Sequence, residues 1–420
     1  TVTAKLTGSS GAVISFTGPA GSTLSPASAT TDGSGNTTTQ LNLRSPWATP
    51  GSTATINAVS GSETKSQPLT VRGSNLVIAG QGYTSSLAQS ELVFPSRVVD
   101  ALSSGGTEPW YLVLLADGSV WSRGHNSDGQ LGDGTQTSRW VWAKIPGLSG
   151  VKQIAASYVS GYALLSNGSV KAWGYNYAGN LGDRSFTPRT SPVDVWSLSS
   201  GVTHIAAAGM AAFAVVNGAV KAWGENNSGQ LGNGTSDVSW EPVSVSNLST
   251  VTQLAAAAQS IYALLADGSV YSWGYNGGGQ LGDATTTDRR KPVQVSGLTS
   301  GVTQIAAGGD TGYALLGNGS VQAWGQNSNS TIGDNTTANR LTPVQVSGLT
   351  SGVTQIAAGR RTGYALSADG VLRSWGAGDQ GQAGNGSTST RPTPSPVALP
   401  NGRVPLRIGV GSSYSTTAMV

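Results

Sequence analysis

Asp267-Gly268-Ser269-Val270, Trp273-Gly274, Gly279-Gln280-Leu281-Gly282, Pro292-Val293, Ile305-Ala306-Ala307-Gly308 and Tyr313-Ala314-Leu315-Leu316 follow one another, and the same phrases return in the same order along the chain. The Trp-Gly pair marks the period. It recurs at Trp173-Gly174, Trp223-Gly224, Trp273-Gly274, Trp324-Gly325 and Trp375-Gly376, with Arg123-Gly124 as a variant, at a spacing of 50 or 51 residues. A fixed period of this length signals a repeat architecture. Each unit reads as four short strands. The Asp-Gly or Asn-Gly pair between the Tyr-Ala-Leu-Leu and Val-x-x-Trp-Gly phrases is a hairpin turn, because such dipeptides accept positive φ.

Six units are plain, starting at Asp117, Asn167, Asn217, Asp267, Asn318 and Asp369. A degenerate seventh precedes them, with Leu76-Val77-Ile78-Ala79-Gly80 standing where Val-x-x-Trp-Gly should be. The chain finishes on Ile408-Gly409-Val410-Gly411 and Tyr414 to Val420, two strands of a unit whose other two lie near Leu76. The reading therefore expects an all-β, seven-bladed β-propeller over residues 74–420, its last blade closed by strands from both ends so that no sheet edge is left open. Ile-Ala-Ala suits an innermost strand crowded at the axis, and the tryptophan suits the gap between blades.

Composition agrees. Of 420 residues, 60 are glycine and only 10% are charged, and no stretch sustains the apolar period of a helix. No run of about 18 apolar residues is present to span a membrane. With no cysteine, disulfides and thiolate sites are excluded. A net charge of +3 without a basic cluster gives no nucleic-acid footprint. Thr1 to Leu6 lack a charged-then-apolar export signal, so the reading expects a signal already removed or a fragment of a longer protein.

The phrases Asp/Asn-Gly-x-Val-x-x-Trp-Gly, x-Asn-x-x-Gly-Gln-Leu-Gly and Ile-Ala-Ala-Gly resemble the repeats of the regulator of chromosome condensation family, in its bacterial secreted form. The resemblance implies a propeller that binds through loop-covered faces, in a family that includes exchange factors, chromatin binders, ubiquitin-ligase accessory domains and secreted β-lactamase inhibitors. It carries over no catalytic residue. Residues 1–72 form a different block. Val13-Ile14-Ser15-Phe16-Thr17, Ser25-Pro26-Ala27-Ser28-Ala29-Thr30-Thr31-Asp32-Gly33, Asn36 to Leu43 and Ser52 to Val59 alternate in strand fashion. This block resembles bacterial immunoglobulin-like domains of the invasin and intimin type, which implies a β-sandwich acting as spacer, its first strand short against that pattern.

Candidates for chemistry are scarce. His125 and His204 are the only histidines. They sit at different repeat positions, so loop or surface placement is expected rather than a shared triad or metal site. The Asp-Gly pairs lack the Asp-x-Asp-x-Asp-Gly pattern of a calcium loop and read as turn chemistry. The expectation is no enzyme, no metal and no cofactor.

The loops carry the remaining signal. Strand-one-to-two and strand-three-to-four loops of a blade emerge on one face. There they gather Trp110, His125, Tyr158, Tyr175, Tyr177, Tyr275, Arg360, Arg361 and Tyr414, residue types that dominate interfaces. On the opposite rim Trp140, Trp142 and Trp240 break the repeat, either covering blade edges or meeting the N-terminal domain. The expected function is a non-catalytic binding or adhesion module of a bacterial cell-surface or secreted protein, recognising a protein or a glycan. The alternatives are a secreted inhibitor or toxin-assembly component that docks a protein, and a structural subunit of a surface fibre whose partners are other subunits.

Overall fold

The computed structural model describes residues 94–104, 109–384, 388–397 and 408 with their side chains, and the backbone strands elsewhere. The chain divides into two units, Thr1–Ser74 with Val93–Arg97, and Asn75–Leu92 with Val98–Val420. In the first, Val2–Thr7, Asn36–Asn42 and Thr23–Ser25 make one antiparallel sheet, and Ser28–Thr30, Val13–Thr17, Thr53–Ser60 and Glu63–Thr70 make another. Whether these sheets pack as the expected immunoglobulin-like sandwich depends on side chains outside the described residues.

The second unit is an all-β propeller. Six blades of four consecutive antiparallel strands follow one another: blade 1 over 98–144, blade 2 over 151–194, blade 3 over 202–244, blade 4 over 251–294, blade 5 over 302–345 and blade 6 over 353–396. First strands of successive blades touch, so they ring the axis. The count from sequence was seven; the complete blades are six. The two chain ends supply one further sheet, in which Arg407–Val410 pairs with Ser415–Met419 and that strand with Asn75–Gly80, followed by Leu92–Val93. No helix among the described residues is long and apolar enough to cross a membrane.

Turn chemistry builds the blade. In blade 3, Asn217 and Gly218 both sit at positive φ, +51° and +79°, the two-residue turn that Asn-Gly signals. In blade 4 only Gly268 does, at +80°, while the Asp267 carboxylate accepts from the Ser269 amide at 2.9 Å and its hydroxyl at 2.6 Å. The second strand that follows each first strand is almost wholly interior: Ser260 to Ala263 and Leu264 are all buried, each large apolar side chain contributing about 1.5–3 kcal/mol.

The Asn-x-x-Gly-Gln-Leu-Gly-Asp phrase is the fold of the loop between strands three and four. Asn276 is fully buried; its Oδ1 accepts from Leu281 N at 2.9 Å, and its Nδ2 donates to Asp283, Thr285 and Thr287. Asp283 then pairs with Arg289 at 2.7 Å, and the same pair recurs at Asp183–Arg189 and Asp334–Arg340. Burial works to raise the Asp283 carboxyl, but hydrogen bonds from Thr285 and Arg289 hold it below the usual range.

Blades are joined by the tryptophans. Trp223 and Trp273 are completely buried, and each indole N–H donates to a loop carbonyl of the preceding blade, Asn180 O at 3.0 Å and Gln230 O at 2.8 Å. The Gly of Gln-Leu-Gly gives the ring its place: a Cβ on Gly232, at φ +64°, would lie 2.8 Å from Trp273 Nε1.

Candidate functional site

Both loop sets do emerge on one face. The residue after each Trp-Gly or Arg-Gly pair donates its amide to the strand-one-to-two loop of its own blade: His125 to Pro109 O, Tyr175 to Val159 O, Glu225 to Met210 O, Tyr275 to Gln259 O, Gln326 to Asp310 O and Ala377 to Arg361 O. These bonds fix the frame from which the loop side chains project.

On that frame Tyr177 is 66% exposed and Tyr275 38%, and Tyr175 and Tyr177 meet edge to face with centroids 5.2 Å apart. Arg360 is exposed; half-buried Arg361 is held by Asp379 at 2.7 Å. His125 is half-buried beside Gln130, Nδ1 3.2 Å from the amide nitrogen. Tyr158 and Arg360 both face the axial cavity. Tyr414 lies outside the described residues.

Trp110 departs from expectation. It is 1% exposed, and its indole N–H donates to Tyr158 O at 2.9 Å. It braces blade 1 against blade 2 from within and offers no surface to a ligand. The register explains this: Trp110 pairs with Gly124 as Ser160 pairs with Gly174, so it begins a buried strand rather than ending a loop.

The rim tryptophans divide. Trp142 is half-buried in its own blade, where the Arg123 guanidinium lies 5.1 Å from its ring and 5.0 Å from that of Tyr111. Trp140 is 57% exposed. Trp240 is 46% exposed, with Phe186 of blade 2 stacked at 5.2 Å and Arg184 N donating to its carbonyl. Trp240 thus covers a seam between blades 2 and 3. The contact expected with the N-terminal unit falls on side chains outside the described residues.

Sequence reading missed the axial cavity. It measures about 300 Å³, left open because the first strands carry alanine there. A β-bulge in every first strand, as between Val251 and Gln253, re-aims one polar side chain toward the neighbour. Gln153 and Ile205, Gln253 and Ile305, and Gln304 and Ile356 exchange two hydrogen bonds each across the blades, at 2.9–3.0 Å. The signal was the Gln before each Ile-Ala-Ala, with His204 as its one histidine replacement.

His204 is therefore not a loop residue. It stands on the first strand of blade 3 facing the cavity. Gln153 Oε1 accepts from Ile205 N, so its amide nitrogen is the donor that faces His204 Nδ1 at 3.3 Å, and His204 Nε2 lies 3.3 Å from Leu254 O. Both contacts suit the neutral ring protonated on Nε2. Burial holds its pKa below that of an ordinary imidazole, against the Leu254 bond, which raises it. The unfolded chain binds the proton first, so stability is present above the unfolded value and lost as pH falls toward the folded one. The melting temperature of the parent is expected to fall relative to His204→Gln between about pH 7 and pH 5; parallel curves would remove the histidine from the account.

Among the described residues no three His, Asp or Glu side chains cluster as a metal site. The titratable side chains that line the cavity, Asp100, Tyr158, His204, Asp310 and Arg360, stand on five different blades.

Repeated four-stranded blades around an axis, with every pair of loops delivered to one face, define a β-propeller of the protein-interaction type. The Regulator of chromosome condensation (RCC1) repeat model matches residues 117–163, 217–264, 267–315, 318–366 and 369–418, more than half of the chain, and a second RCC1 repeat model matches 302–330 and 353–382. The chain belongs to the RCC1 repeat family.

The chain is 31% identical over 116 residues to the human E3 ubiquitin-protein ligase HERC2, a stretch that is 27% of this chain and 2% of that one. The chain thus spans a small fraction of the curated relative it matches. Among solved structures it is similar to human WBSCR16, at TM-score 0.73 and 20% identity over 83% of this chain and 99% of that one. It is also similar to yeast RCC1 (Prp20) bound to Kap60, at TM-score 0.71 and 22% identity over 84% and 89%. At these identities the likeness is one of fold.

Proposed function

We propose that the chain is a non-catalytic module that binds a partner protein through its loop face. The observation that carries this reading is exposed Tyr177 braced edge to face by half-buried Tyr175, with Tyr275, Arg360 and Arg361 brought to the same face by one repeated backbone bond. Aromatics and arginine are the side chains that anchor interfaces. Support by analogy comes from the similar yeast propeller, which was solved with Kap60 and studied for binding to Gsp1p and histones. Fold alone does not transfer those partners.

Three finer elements belong to the proposal. The ring has seven blades, the seventh being the sheet drawn from both chain ends; in support, its strand Arg407–Val410 touches the first strands of blades 1 and 6, and Gln355 and Ile408 exchange the same pair of hydrogen bonds, at 3.0 and 3.1 Å, that joins the other blades. The N-terminal unit is an immunoglobulin-like spacer, supported by its two antiparallel sheets. The setting is a secreted or surface-exposed bacterial protein, supported by low charge and the absence of cysteine.

The test is capture from extracts of the source organism and its surroundings, with the parent and with a variant carrying Tyr175→Ala, Tyr177→Ala, Arg360→Ala and Arg361→Ala. A partner held by the parent and lost by the folded variant is the expected result. Equal capture by both would move the site to the opposite rim.

A further inference from the structure

Blade 5 breaks the repeat where four other blades close their loop with a glutamine; blade 2 has Asn180 at that place, bonded to Ser160 and to Tyr175 O. In blades 1, 3, 4 and 6 a glutamine follows the loop glycine and folds back, its Oε1 accepting the amide two residues earlier: Gln130 from Asp128, Gln230 from Ser228, Gln280 from Gly278 and Gln382 from Gln380. Blade 5 has Asn329-Ser330-Thr331 instead. Thr331 is shorter, and its hydroxyl turns inward to Gln326 O at 2.7 Å. The space left is a cleft of about 150 Å³ between blades 5 and 6. Ser330 occupies the glycine position at φ +56°, a conformation that costs a non-glycine residue roughly 1–2 kcal/mol. Strain of this kind gathers at functional sites.

The lining decides the ligand. Arg360 and Arg361 come from blade 6, and Gln326, Ser328 and Asn329 from blade 5. All five carry donors; of the two guanidiniums, that of Arg361 is paired with Asp379 at 2.7 Å and that of Arg360 is exposed. Asp310 is the only carboxylate in the lining; burial raises its pKa, and Gln280 and Arg360, which both lower it, already attend it. The cleft opens into the axial cavity through Gly309, Asp310 and Arg360. Its volume is below the roughly 300–1,000 Å³ of a small-molecule site and suits a single side chain.

We propose that this cleft receives the carboxylate of an acidic side chain from the partner protein. The inference rests on the loop-face reading and names the chemistry that the partner presents there. Exposed Arg360 supplies the charge-assisted hydrogen bonds, for which a guanidinium is the fitted donor, while Arg361 stays with Asp379 and walls the cleft.

The probe is a fluorescein-labelled octaglutamate peptide with blocked ends, set against octaserine, by anisotropy at low ionic strength. The parent is expected to bind octaglutamate saturably and octaserine not at all. Thr331→Gln returns to blade 5 the residue that four other blades carry, so it fills the cleft and leaves the fold intact. It and Arg360→Ala are each expected to weaken octaglutamate by about 10-fold or more, with unchanged melting temperatures. No saturable binding by the parent, or equal binding by folded Thr331→Gln, overturns the proposal. If extract capture fails in the tyrosine and arginine variant but survives Thr331→Gln, the loop face stands and the carboxylate cleft falls.

Discussion

Trp223→Ala is expected to lower the stability of the propeller by about 3–5 kcal/mol, read as the shift in the guanidinium unfolding midpoint by circular dichroism. The ring is fully buried in a core shared by blades 2 and 3, with Leu181, Val195 and Leu198 on one side and Ile205 and Ala212 on the other. Tyr162 meets it edge to face, centroids 6.3 Å apart. Its indole N–H donates to Asn180 O at 3.0 Å, a carbonyl that also accepts from Tyr162 OH at 2.6 Å. Removing the ring opens a cavity and takes one donor from that carbonyl. Trp223→Phe keeps much of the packing and loses the N–H, so about 1–2 kcal/mol is expected from it. A loss under about 1 kcal/mol for the alanine variant would mean that neighbouring blades do not depend on the tryptophan.

What could be read from the sequence is what local chemistry dictates. The Asx-Gly turns, the buried Tyr-Ala-Leu-Leu strand and the period of the Trp-Gly pair each depend on residues near in the chain, and six blades follow from them. The prediction that the tryptophan fills the gap between blades also holds for the five repeats that carry it, because a large ring in a fixed place has nowhere else to go.

The failures share another cause. Trp110 is counted among the loop residues by its place between strands one and two of its repeat, and only the strand register shows it to be interior. The glutamine and histidine bonds run between residues 50 or more apart in sequence. A polar residue before Ile-Ala-Ala looks like surface until the next blade is beside it. Two of the six plain repeats lack the loop glutamine, with Asn180 and Thr331 in its place, and of these only Thr331 also lacks the glycine before it. A cavity made by a missing side chain leaves no conspicuous residue, whereas exposed aromatics stand out in any sequence.

Asn276→Asp is expected to be more damaging at neutral pH than Asn276→Ala, although it changes one atom. The alanine variant removes the acceptor of Leu281 N and the donor to Thr285 O and Thr287 O, leaving buried backbone groups that each cost about 1–3 kcal/mol. The aspartate keeps the acceptor but replaces the donor hub with an anion. That anion faces two carbonyl oxygens and the Asp283 carboxylate, which now lies 3.1 Å from the amide nitrogen. A buried charge without a partner is the costlier fault, and the Asp283–Arg289 pair closing the loop would be drawn off its own partner. Melting followed by circular dichroism at pH 7 is expected to rank parent above alanine above aspartate, with about 2–4 kcal/mol between the first two. An aspartate variant as stable as the parent would show that Nδ2 is not the donor to these groups, and that the loop is held by Asp283 and Arg289 instead.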